Sequence, residues 1–333
     1  MTEQRRWKEM DSLRGMAILM VLLYHSILVF PVNLHEIRWC SILHTFLWTV
    51  QMPLFFLVSG FCYSYHGSYG VYALKKCRRI LVPHLVFSML DILPRLIPNP
   101  LVHEQMDLQE ALWDFVLYGG SDWFLWTLFV IVMVFPALEK LLTGRTGLRK
   151  AGILLVVILF LLKPYMTDLF LLNMVCQYLW YFFLGYGLRR KADRVLPRLE
   201  NPLCLLPGLL LTLAFFALFG MCDAAGNTGR LLEVVCVLCS FLFFFALAGL
   251  CRGRAERFLV SCGTWSLQMY LLDAYALVLT RTLFVSVLGL GVPVLIILGN
   301  FLADTWIVLL VSKYILTKAK VFRFLCGIPE KVG

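Results

Sequence analysis

Asp11-Ser-Leu-Arg14-Gly-Met-Ala-Ile-Leu-Met-Val-Leu-Leu-Tyr24-His25 opens the first long apolar run of the chain, and its reading decides the rest. It sets an arginine and a histidine inside that run. Ionisable side chains at membrane depth are costly, face protein or water rather than lipid, and mark function by default. Arg14 and His25 are eleven residues apart. At about 100° per residue this falls within roughly 20° of three full turns. Both therefore share one helical face, about 16 Å apart along the axis at ~1.5 Å per residue. Asp11 lies one turn before Arg14 on nearly the same stripe. Two plainer readings stay open. Arg14 can be a snorkelling cation at a helix end, and His25 a hydrogen-bonded core residue.

Composition extends this reading to the whole chain. Of 333 residues, 61% are hydrophobic and only 15% charged, and the mean hydropathy is +0.82. Such values define a polytopic membrane protein. Length alone suggests two domains, but the apolar runs follow one another closely from start to end. The expectation is one integral domain over 12–316, with a cytoplasmic segment 1–11 before it and a cytoplasmic tail 317–333 after it. The first run is long for a signal peptide and no Ala-x-Ala-like site follows it, so it is expected to stay as a signal anchor.

Apolar stretches long enough to span a bilayer, at about 20 residues each, fall at 12–32, 41–66, 79–98, 123–142, 151–167, 169–188, 203–221, 231–251, 264–287 and 291–316. This predicts an all-α integral membrane fold of about ten transmembrane helices in one bundle. Lys163-Pro164 cuts the fifth short. Breakers separate the runs at Pro98-Asn99-Pro100, Gly144, Pro197, Gly226 and Gly289-Leu-Gly291-Val-Pro293. The net charge of +10 does not point to nucleic acid, because the cations sit in short loops between apolar runs. Twenty-four lysines and arginines fall in one alternating set of connections and four in the other. By the positive-inside rule, this predicts both termini in the cytoplasm.

The eleven cysteines lie nearly all inside apolar runs and read as reduced, small hydrophobes. Cys236-x-x-Cys239 has a metal-like spacing, but no histidine or second cysteine pair accompanies it. The outer connection 99–122 carries Glu104, Asp107, Glu110, Asp114 and Asp122 without lysine or arginine. It reads as an acidic loop, or as a segment Leu108–Tyr118 lying flat on the interface.

Two further stretches carry information. Gln51-Met-Pro53-Leu-Phe-Phe-Leu-Val-Ser59-Gly60-Phe61 predicts a proline kink in the second helix, and its Ser59-Gly60 offers a small face for close helix approach. Ser59 lacks the flanking glycines of a hydrolase elbow. Lys75-Lys-Cys-Arg78-Arg79-Ile-Leu-Val-Pro83-His84 sets four cations at the mouth of the third apolar run. They serve topology alone, or they form a phosphate clamp, since guanidinium groups suit phosphates.

Taken together these residues resemble the membrane acyltransferase family called acyltransferase 3. The resemblance rests on Asp-x-Leu-Arg-Gly, the Arg14-x10-His25 spacing, Met-Pro-Leu-Phe-Phe-Leu-Val-Ser-Gly-Phe, the cations before Ile-Leu-Val-Pro, Trp123-Phe-Leu, Phe182-Phe-Leu-Gly185 and Ser266-Leu-Gln-Met-Tyr270-Leu-Leu. It covers about 8 to 316 and implies ten core helices. It also implies transfer of an acyl group, often acetyl from acetyl-coenzyme A, onto a hydroxyl of a surface or lipid-linked carbohydrate. A multi-pass protein of the cell membrane, of bacterial plasma-membrane type, follows. Acyl-coenzyme A is then a co-substrate and no bound cofactor or metal is needed. Arg14 and His25 match the first-helix pair thought essential. Lys76-Cys-Arg78-Arg79 matches a family Arg-x-x-Arg in the donor-binding place, with lysine first. Ser266 and Tyr270 match Ser-x-x-x-Tyr, and Asp273 stands where the family often has histidine.

The chemistry implied needs a base for the hydroxyl proton and donors for the developing oxyanion. His25 is the best base, since its side-chain class titrates near pH 6.5. Asp273 and Asp304 each sit mid-membrane on the last two helices, and either orients His25 if helix packing brings them together. Pairing with Arg281 is the alternative. Asp91 and Arg95, four apart, are expected to pair with each other. A transporter or flippase of a lipid-linked sugar or acylated product also fits intramembrane Arg, His and Asp, although no inverted repeat is visible between the halves. A sensory or anchoring module is the third class.

Overall fold

The computed structural model describes residues 7–28, 34–96, 106–120, 122–222 and 226–329. Arg5, Arg6, Pro98-Asn99-Pro100, Glu104 and Lys331, along with the end of the first apolar stretch, lie outside the described residues. Among the described residues the chain is all-helical, without a strand. The helices are α1 Lys8–Ile27, α2 Arg38–Phe61, α3 Tyr69–Lys76, α4 Val82–Arg95, α5 Leu108–Tyr118, α6 Trp123–Thr143, α7 Thr146–Leu162, α8 Leu172–Arg189, α9 Ala192–Leu199, α10 Leu205–Met221, α11 Asn227–Leu250, α12 Arg254–Thr264, α13 Ser266–Arg281, α14 Pro293–Leu310 and α15 Lys320–Leu325.

Seven stretches are long and apolar enough to cross a membrane: 38–61, 108–143, 169–189, 202–221, 227–250, 266–287 and 293–315. The other three stretches read as spans become shorter or more polar helices. α1 carries Asp11, Arg14 and His25; α4 has 14 residues; α7 has 17 and ends at Lys163. Many large apolar side chains on the candidate spans are exposed, as lipid-facing surfaces require.

The chain forms two compact units, each assembled from two segments. The first comprises Met1–Phe61 and Gly185–Ile315. Its central element is α1, which packs against α2, α11, α12, α13 and α14 and buries Leu13, Ala17, Ile18, Val21 and Leu22 almost completely. α12 was not foreseen as a separate helix. Its closeness to α1 has a simple cause. A Cβ on Gly15 would lie 2.0 Å from the Leu259 carbonyl oxygen, and one on Gly263 would lie 1.9 Å from that of Asp11. Two glycines thus let two backbones touch, which is how helices gain van der Waals contact where lipid removes the hydrophobic drive. Lys8 and Glu256 reinforce the crossing at 3.6 Å. In α2, Pro53 stays within a continuous helix. The small face there is met by Gly185, whose Cβ would lie 1.9 Å from the Leu57 carbonyl oxygen.

The second unit comprises Cys62–Leu184 and Leu316–Gly333. Pro136 inside α6 has no N–H, so the Val132 carbonyl four residues earlier loses its helical donor. Tyr72 of α3 supplies that donor through its hydroxyl at 2.9 Å, and Tyr69 bonds the neighbouring Met133 carbonyl at 3.1 Å. These tyrosines set α3, and the cations that follow it, against α6. A π-helical turn, Cys77–Leu81, then joins α3 to α4. Asp91 and Arg95 pair at 3.2 Å, as their spacing predicts. α5 starts on Asp107, which accepts a bond from Glu110 N at 2.7 Å, and stops at Gly119 with φ 74°.

Candidate active site and cation cleft

Asp11, Arg14 and His25 stand on one uninterrupted helix, so the spacing read from sequence becomes a helical face. All three are half-buried. His25 Nδ1 hydrogen-bonds Asp273 Oδ2. The two residues are 248 apart in sequence. Asp273 is 1% exposed and His25 35%. A carboxylate in its ionised form only accepts; with Asp273 in that form the imidazole proton sits on Nδ1 and Nε2 is the basic nitrogen. Arg281 lies eight residues further along α13, about 12 Å at ~1.5 Å per residue; the carboxylate goes to His25.

Asp304 of α14 is fully buried and has Asp273 as its electrostatic neighbour. Two carboxylates from different helices thus lie together, and one of them, Asp273, meets the imidazole. α14 also buries Asn300 and Thr305, and the π-helical turn Val311–Ile315 after it buries Ser312, each with a side-chain polar atom lacking a protein partner among the described residues. Such atoms cost about 1–3 kcal/mol apiece unless water or ligand meets them. Ser266 begins α13 and is buried, and Tyr270 one turn on is half-buried. Residues 266, 270 and 273 share one face within about 60°. Ser59 is half-buried near the end of α2, beside the Leu57 contact with Gly185.

Aromatic rings flank His25. Tyr24 stacks on His44 with centroids 4.2 Å apart, and Trp48 lies 5.6 Å from Tyr24. His35 meets His44 edge-on at 4.7 Å. No cluster of metal-ligating side chains occurs among the described residues, Cys236 and Cys239 included.

The second unit holds a cleft of about 390 Å³ lined by Lys75, Arg78, Arg79, Lys320, Arg323, Phe324, Gly327, Ile328 and Pro329. Arg78 and Arg79 line it as a pair. Lys76 does not line it. Its ammonium sits 5.2 Å over the Tyr72 ring. Burial, helped by the adjacent Arg79, lowers its pKa to about 8. Lys75 takes the place expected of Lys76, because one residue turns a helix position by about 100°. Lys320, Arg323 and Phe324 were not singled out from sequence, where the tail cations read as topology markers. Their signal was Gly327, placed where a helix-ending turn needs a positive φ.

These features describe a multi-helix membrane protein with an ionisable site on buried helix faces and a cationic cleft. The chain belongs to the acyltransferase 3 family, whose acyltransferase domain matches residues 7–313. Comparison with curated proteins gives no match, and comparison with solved structures gives none.

Proposed function

We propose that the protein is a membrane O-acyltransferase that moves an acyl group, acetyl being the simplest, from cytoplasmic acyl-coenzyme A to a hydroxyl of a cell-surface or lipid-linked carbohydrate. The observation that carries the reading is the His25–Asp273 bond. In the proposed step, His25 Nε2 takes the acceptor hydroxyl proton as the oxygen attacks the thioester carbonyl. The carbon–sulfur bond then breaks and coenzyme A leaves as the thiol, receiving a proton in turn. Asp273 holds the imidazole in the tautomer that leaves Nε2 basic and stabilises the imidazolium that forms. Asp304 supports Asp273 from α14.

Arg14 acts elsewhere. At about 16 Å from His25 by helical rise, it cannot touch the same carbonyl. It guides the donor along the α1 stripe, with Asp11 beside it. Arg78 and Arg79 hold donor phosphates, each through a charge-assisted contact. The unpaired polar atoms of Asn300 and Ser312 suit the amides of a pantetheine arm or water beside it. The flat rings of Tyr24, His44 and Trp48 suit stacking against a sugar ring. Ser266 and Tyr270 offer hydroxyls on the Asp273 face of α13. Ten spans with both termini in the cytoplasm, in a bacterial plasma membrane, complete the proposal, with α1 crossing as a protein-enclosed helix and α4 and α7 as short spans that keep exposed apolar faces.

The test is a pair of variants of the purified, inserted protein. His25→Ala is expected to cut turnover at saturating acetyl-coenzyme A by about 10²–10⁴-fold, while donor binding persists. Arg14→Ala is expected to raise the donor concentration required. Turnover of His25→Ala near that of the unaltered protein would make the histidine structural. Export of labelled glycolipid by His25→Ala liposomes, without thioester cleavage by either protein, would favour a transporter.

A further inference from the structure

We propose that the C-terminal segment Lys320–Pro329 is a strap that completes the nucleotide site, so that donor recognition needs the tail as much as Arg78 and Arg79. The inference rests on reading the cleft as the phosphate site of acyl-coenzyme A. The tail lies beyond the residues that match the family, 7–313, so this role comes from the geometry of this chain.

Three observations carry it. First, the cations converge from both segments. Lys75, Arg78 and Arg79 come from the first segment and Lys320 and Arg323 from the second, and no carboxylate lines the cleft among the described residues. Five like charges gathered in one cleft repel one another, and an anion of several charges would relieve that repulsion.

Second, the strap docks by backbone contact. α15 ends in a glycine turn: Gly327 has φ 64°, its N–H reaches the Phe324 carbonyl at 3.2 Å, and Ile328 N reaches the Arg323 carbonyl at 2.8 Å. This is the pattern in which a left-handed glycine closes a helix. A Cβ on Gly327 would lie 2.4 Å from the Arg79 carbonyl oxygen and 2.9 Å from Pro83 Cγ. The turn therefore seats directly on the residue that presents Arg79. Arg323 is further held by its Nη2, which donates to the Pro329 carbonyl at 2.7 Å. Cys326 beside it is buried, and burial pushes its thiol up to about 11.

Third, the strap adds apolar surface. Phe324, Ile328 and Pro329 stand beside the cations. A ring face next to several positive charges suits a nucleobase with its phosphates, since bases stack on aromatic side chains. The nucleotide end of coenzyme A has that chemistry, with an adenine, a 3′-phosphate and a diphosphate. The cleft volume lies in the ordinary range of small-molecule sites. A lipid phosphate shares the charge but not the base.

The experiment uses the full chain in nanodiscs of phosphatidylcholine, titrated by calorimetry with coenzyme A and with its 3′-dephospho form. Lys320→Gln with Arg323→Gln is expected to weaken coenzyme A binding about tenfold or more per lost contact and to shrink the preference over the dephospho form. Gly327→Ala, which undocks the strap without removing charge, is expected to do the same. Unchanged coenzyme A affinity in the Lys320/Arg323 variant, alongside a loss in Arg78→Gln with Arg79→Gln, overturns the strap and leaves the donor reading standing. Unchanged affinity in all three variants overturns both. A parallel arm measures phosphatidylglycerol retained by the purified protein. Loss of that lipid in the variants with unchanged coenzyme A affinity would assign the cleft to a lipid headgroup and overturn the proposal.

Discussion

Asp273→Asn tests the His25 pair most directly, because it keeps the shape and removes the charge. In the native protein the carboxylate accepts from His25 Nδ1 while itself only 1% exposed. The asparagine amide meets the ring in one of two ways. With its oxygen toward Nδ1, the tautomer survives and a charge-assisted bond becomes a neutral one. Such bonds contribute about 1.5–3 kcal/mol, against about 1 for neutral ones. His25 is 35% exposed, so solvent screening keeps the difference near the low end, about 0.5 kcal/mol or two- to threefold in turnover. With its NH₂ toward Nδ1, the ring proton must move to Nε2 and the base is lost, an effect of up to about 10⁴-fold in an Asp–His pair of a hydrolase triad. The expected range is therefore roughly two- to ten-thousandfold. The assay is thiol release from acetyl-coenzyme A at saturating donor and acceptor by inserted protein, over a pH series. Asp91→Asn is the control: its carboxylate is 28% exposed in an i,i+4 pair with Arg95, and such pairs contribute only about 0.3–0.5 kcal/mol. If Asp273→Asn turns over like Asp91→Asn at every pH, the bond to His25 is a packing contact and the catalytic reasoning fails.

Other outcomes follow from the same contacts. Gly15→Ala and Gly263→Ala should each separate α1 from α12 and cost about 1–3 kcal/mol or more as overpacking. Gly147→Ala, whose Cβ meets nothing within 4 Å, should be neutral; equal melting temperatures for all three would dismiss the glycine crossing. Lys76, with its pKa lowered to about 8 by burial and Arg79 from an ordinary 10.5, binds fewer protons folded than unfolded between those values. Stability should rise with pH across that window, with the full penalty present below about 8. Lys76→Met should flatten the rise in a thermal-melt series, and an unchanged slope would argue that Lys76 is solvated. Cysteine-accessibility mapping should place the connections 67–78, 143–150, 189–201 and 252–257 in the cytoplasm; outside labelling at 189–201 would reverse the orientation.

Local periodicity made much of this protein legible in its sequence. The α1 stripe from Asp11 through Arg14 to His25 follows from 3.6 residues per turn, which needs no tertiary information. The same is true of the Asp91–Arg95 pair and of most apolar helices, whose boundaries fall at glycine, proline and charge. Those signals also mark where α7 is cut short, because Lys163-Pro164 stops it. What periodicity does not carry is which helices meet. Sequence offered both Asp273 and Asp304 as partners for His25 and left Arg281 open for either. Helix packing around α1 selected Asp273, 248 residues away, and set Asp304 behind it. Gly15 was visible as part of a motif, but its partner Gly263 became evident only once two backbones touched. The cation cleft divides the same way. Arg78 and Arg79 were readable as a charged run, whereas the turn at Gly327 had to dock on the Arg79 carbonyl before Lys320 and Arg323 joined them. A chain determines locally which groups share a face, because helical geometry repeats every few residues. It determines only in three dimensions which faces meet, because that depends on how closely distant backbones can approach.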